Sequence, residues 1–150
     1  MKELFICFLC LAAAGCGLDE STTRSDKPVS REAAAKGLDF PFSTSATNIY
    51  YLVHSGGLQE FQMFVCFTVK AGDESNAVDE ILADHDKRMG EYDSYPTVPI
   101  ANVMSPPVTQ MPWWTVNSIT NGYSRGSTNG QPFYIWADLN QHTIYVHASD

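Results

Sequence analysis

Leu58–Lys70 reads LQEFQMFVCFTVK, and its alternation places Phe61, Met63, Val65, Phe67 and Val69 on one face of an extended chain. A five-position apolar stripe of period two is the signature of a strand with one face committed to a core. The other face carries Glu60, Gln62, Phe64, Cys66 and Thr68, a mixture that suits a partly covered surface. Upstream, TNIYYLVH (Thr47–His54) is dense in β-branched and aromatic residues, and Ser-Gly-Gly separates the two runs as a turn. Downstream the period changes. In DESNAVDEILADHDKRMG the residues Ala77, Val78, Ile81, Leu82, His85 and Met89 follow a helical stripe. Asp73 or Ser75 is the candidate N-cap, Lys87 and Arg88 suit the C-terminal dipole, and Gly90 suits the stop. One amphipathic helix is thereby expected to lie on a sheet.

From Glu91 to Asn117 no period survives, and five of the eight prolines fall there. A loop of that length drapes over a core, forms a lid or binds something. It ends in MPWWTVNS, where Trp113 and Trp114 either plug an open end of the core or form an aromatic platform. They are the candidate partner-binding residues. Strands return in the last third, where Asn129-Gly130 favours a two-residue hairpin turn. Counting outward from it sets Arg125 opposite Tyr134 and Tyr123 opposite Trp136. A second turn at Leu139–Gln141 leads into Thr143–Ala148. The expected fold is α+β: a two-layer sandwich with an antiparallel sheet of about five strands in the order ββαβββ and one packed helix.

The front of the chain has a different character. Lys2 precedes an apolar run of about 11 residues, Leu4–Ala14, which is the size of a secretory h-region and too short to span a bilayer. The run ends in Ala13-Ala14-Gly15-Cys16, and this stretch resembles the lipobox of bacterial lipoprotein signals; Ala13 departs from the Leu more common at its position. The resemblance implies a signal peptide at 1–15, cleavage before Cys16, a diacylglycerol thioether on its thiol and an acyl chain such as palmitate on the new amino group. An ordinary secretory signal read on Ala12 and Ala14 is the alternative. Residues 16–37, rich in Ser, Thr and charge, are expected to be the lipidated cysteine and a flexible tether reaching about 25 Å. Within them Ser30 is a candidate cap for a short helix that stops at Gly37. The single α+β domain is then 38–150. Cys7 and Cys10 leave with the signal, so Cys66 would be the one thiol left in the mature body.

A net charge of −8 with nine scattered basic residues argues against nucleic acid as a partner. Gly122–Gly126 (GYSRG) matches G-x-S-x-G, and Ser124, Asp138 and His142 or His147 follow in hydrolase order. That motif needs a parallel strand before its serine and a helix after it, and here a hairpin follows. No metal or cofactor is expected: the four histidines lack helical i,i+4 ligand spacing, and His142 and His147, five apart, would face opposite sides of a continuous strand. His85, at the stripe's edge, reads as a packing histidine. The expected protein is a non-enzymatic lipoprotein of the cell envelope. Its site is the outer membrane or the outer face of the cytoplasmic membrane, where lipidated Cys16 holds it to the bilayer and the domain contacts an envelope protein or polymer. Two alternatives are an inhibitor or immunity-type lipoprotein, with Asp79, Glu80, Asp84 and Asp86 facing a basic protein, and a small hydrolase using Ser124 or His85.

Overall fold

The computed structural model describes residues 20–56, 60–89, 95–98, 100, 111–127 and 131–150. In chain order the described elements are β1 (Ser21–Arg24), α1 (Arg31–Gly37), β2 (Thr47–Gly56), β3 (Glu60–Thr68), α2 (Glu74–Met89), β4 (Thr97–Val98), a 3-10 turn (Val116–Ser118), β5 (Gly122–Gly126), β6 (Phe133–Asp138) and β7 (Thr143–Ser149). The strands make one antiparallel sheet ordered β1-β2-β3-β7-β6-β5-β4. Six of these strands have at least four residues, and β4 is a two-residue edge. The α+β class and the antiparallel sheet hold; the sheet is wider than the five strands expected, and a second helix is present.

The stripe of β3 positions everything else. Val65 and Phe67 face α2 and share one core with Ile49, Ala77, Val78, Ile81, Leu82, Ile135, Ile144 and Val146. Phe64 and Cys66 point the other way, into a second core with Met111, Trp114, Val116, Trp136 and Tyr145. Both faces of the central strands are therefore dry, and β7 accordingly reads as a continuous buried run from Thr143 to His147.

The segment 16–37, expected as a tether, is part of the fold from Glu20 onward. β1 pairs with β2 from Ser21↔Ser55 to Arg24↔Leu52, and Val29 bridges to Ile49. All four β1 residues are exposed, so no hydrophobic alternation marked them; a polar edge strand looks like a linker in sequence. Side chains do the pinning: Ser21 Oγ meets Ser55 Oγ at 2.8 Å and Thr22 Oγ1 meets His54 Nδ1 at 2.9 Å. Ser30 caps α1 as expected, its Oγ accepting from the Ala33 N–H at 3.2 Å.

The β5/β6 register differs by one residue from the two-residue hairpin count. Ser124 lies opposite Trp136, Arg125 opposite Ile135 and Tyr123 opposite Ala137. The Ser127 N–H donates to the Phe133 carbonyl at 2.8 Å, which closes a loop of odd length and shifts the pairing. Asn129-Gly130 itself lies outside the described residues. The shift turns Ser124 to the aromatic face and Arg125 to the helix face, where its Nη1 donates to Asp79 Oδ1 at 2.9 Å. The expected Arg125–Tyr134 and Tyr123–Trp136 pairs do not form across the ladder.

Candidate binding cleft

The aromatic face accounts for the tryptophans. Trp114 is buried, edge-on to Phe64, Trp136 and Tyr145 at ring-centre distances of 5.2, 5.8 and 5.6 Å. Trp113 is half-buried and stacks on Tyr50 at 5.6 Å with an interplanar angle of 19°. The segment is held down by the Thr115 hydroxyl, 2.7 Å from the Tyr145 hydroxyl. Burial pushes the Tyr145 phenol up to about 12 and the Cys66 thiol up to about 12, which leaves Cys66 un-ionised and unsuited to act as a nucleophile at neutral pH. His147 lies under Phe64, ring centres 4.7 Å apart. Burial lowers its imidazole to about 4, so it is neutral at pH 7.

The residues of the G-x-S-x-G pattern are not gathered into a triad. Ser124 is fully buried in the middle of β5, opposite Trp136. Asp138 Oδ1 accepts from the N–H groups of Asn140 and Gln141 at 2.9 and 3.1 Å, making the β6–β7 turn. His142 precedes β7 in a left-handed conformation, φ 50°, which agrees with a strand that begins at Thr143. Its Nδ1 lies 2.5 Å from Glu74 Oε1, at the start of α2. The glycines have a packing reason: a Cβ on Gly122 would lie 1.9 Å from the Ala137 carbonyl oxygen, and one on Gly126 2.3 Å from the Tyr134 ring. Among the described residues no cluster of three or more His, Cys, Asp or Glu is placed to hold a metal ion.

The acidic row of α2 is partly engaged within the chain. Asp79 pairs with Arg125, and Asp84 with Arg88 at 2.6 Å; Asp86 is half-buried with a carboxylate oxygen unpartnered among the described residues. Glu80 remains exposed.

A concave feature among the described residues lies elsewhere, under the last turns of α2. Helical spacing puts Ile81, Asp84, His85 and Arg88 on one flank, and the ladder sets Met63, Ala148 and Phe133 side by side across β3, β7 and β6. With Asp39, Phe40 and Pro41 closing one side, these groups line a cleft of about 220 Å³. His85 stacks on Phe133 at 3.9 Å and is hydrogen-bonded to the Tyr95 hydroxyl. Arg88 is a fork between two segments, Nε to Asp84 Oδ2 at 2.6 Å and Nη1 to Asp39 Oδ2 at 2.8 Å. That guanidinium holds the Asp39 carboxyl below its ordinary range. Sequence reasoning placed His85 at the edge of the stripe but had no signal for the cleft, because half its lining comes from distant strand ends.

Among the described residues no helix is long and apolar enough to cross a membrane; Cys16 lies outside those residues. No protein-family model, curated protein or solved structure matches this chain at a significant level.

Proposed function

We propose that the chain is a lipid-anchored lipoprotein of the bacterial cell envelope whose α+β body, a two-layer unit, is a non-catalytic binding or structural module. The observation that carries this reading is the run Ala13-Ala14-Gly15-Cys16 at the end of a short apolar segment opened by Lys2. Two acyl chains would make attachment durable, since each buried methylene contributes about 0.8 kcal/mol and a single chain holds only reversibly. The chain's net charge of −8 gives no electrostatic alternative for holding an anionic bilayer. The scattering of Ser124, Asp138 and the histidines supports a binding role over hydrolysis. Contact with an envelope protein or polymer would use the domain's surface, with the half-buried ring of Trp113 as one point of engagement.

The test is metabolic labelling with an alkynyl palmitate in a bacterial host, followed by membrane fractionation. The wild-type protein is expected to carry label and sediment with membranes, and Cys16→Ala to lose both. Label retained by Cys16→Ala, or equal sedimentation of the two forms, would overturn the proposal.

A further inference from the structure

The cleft under α2 has a chemistry of its own, and it rests on the binding reading just given. Its floor is apolar and aromatic, with Met63, Phe133 and Ala148 in a row across three strands. Its rim carries two carboxylates against one guanidinium, and His85 Nδ1 is already engaged by the Tyr95 hydroxyl. Arg88 uses the Oδ2 of both Asp39 and Asp84. The two Oδ1 atoms have no hydrogen-bond partner among the described residues, and the Asp39 side chain is 91% exposed. Two acceptors with surplus negative charge thus line the same cleft as this apolar floor. At about 220 Å³ the cleft falls below the roughly 300–1,000 Å³ typical of drug-sized sites, so its occupant has few heavy atoms.

We propose that this cleft binds a small organic cation, a primary amine on an aromatic or short aliphatic body. The body lies against Met63 and Phe133, and the ammonium donates to the unused oxygens of Asp39 and Asp84. A carboxylate of the same size is rejected, because it would meet two like charges while Arg88 is already neutralised.

The experiment is an NMR titration of the full-length protein carrying isotope-labelled methionine methyls, with the Met63 resonance assigned through Met63→Leu. Phenethylamine is expected to shift that resonance saturably, phenylpropionate of similar size to leave it unmoved, and Asp39→Asn with Asp84→Asn to weaken the amine by roughly tenfold. Arg88→Met removes the competing cation and is expected to tighten the amine. Binding of phenylpropionate as well as the amine, weaker amine binding in Arg88→Met, or no shift with either compound would overturn the assignment. A lysine-bearing peptide that binds more tightly than free phenethylamine would overturn it too, by moving the same ammonium chemistry to a protein partner. The titration is independent of lipidation: Cys16→Ala can lose its membrane anchor while the Met63 response persists, so failure of either idea is seen separately.

Discussion

On one face of the sheet Ala77, Val78, Ile81 and Leu82 come from a single helix with a single period; the opposite face is closed by Met111, Trp113, Trp114, Val116 and Ile119, residues of largely irregular chain. The two coverings solve the same problem differently. A helix satisfies its own backbone hydrogen bonds and can cover a sheet with medium-sized aliphatic side chains. Irregular chain presents fewer side chains to the sheet per unit length, so large rings do the covering, each removing about 150–250 Å² from water. The aromatic face also leaves polar atoms stranded: Trp136 Nε1 and His147 Nδ1 are buried without a partner among the described residues. It is the denser face in rings, and it strands these two atoms where α2 strands one, Asp86 Oδ1.

That contrast can be broken first at Trp136. Truncation to Ala should cost about 3–5 kcal/mol in urea unfolding, because the ring is fully buried against Trp114 and Tyr134. A loss smaller than that of Ile81→Val, expected at about 1 kcal/mol on the helix face, would show that the aromatic cover is dispensable. Acid comes next. His147 is held neutral, its value lowered to about 4 from an ordinary 6.5, so protons bind more readily to the unfolded chain. This contribution to stability is complete above pH 6.5, falls between 6.5 and 4, and is gone below 4. The total is on the order of 3 kcal/mol, and His147→Leu should flatten that part of the stability profile. Two smaller tests sharpen the helix side. Ser30→Ala removes the α1 cap and should cost about 1 kcal/mol, read as a lowered unfolding midpoint. Asp79→Asn breaks the half-exposed pair that straps α2 to β5 and should cost under about 1 kcal/mol, a difference that added salt erases.

The helix face was largely legible in the sequence because period carries information about burial. The stripe of β3, the stripe and start of α2, and the Ser30 cap all follow from local spacing and match the observed elements, while the Gly90 stop lies outside the described residues. The aromatic face was legible as residue types only: Trp113 and Trp114 stood out, yet nothing local tells a ring that plugs from a ring that binds. Three features escaped for physical reasons. β1 is a polar edge held by its ladder with β2 and by hydroxyl contacts to Ser55 and His54, and none of these leaves a hydrophobic period in its own sequence. The β5/β6 register depends on the parity of a loop, and one residue of error moves every side chain to the other face. The cleft is assembled from strand ends, a helix terminus and the Asp39–Pro41 segment, which share no neighbourhood in sequence.

β1 begins at Ser21, and this changes what an acylated Cys16 would mean. Four residues, 17–20, separate Cys16 from the sheet, and the five steps from Cys16 to Ser21 reach at most about 18 Å even when fully drawn out. A lipoprotein so built would not sway on a long leash above the headgroups. It would be moored close in at the start of β1, with Ser21 the first point of the sheet to meet the headgroups.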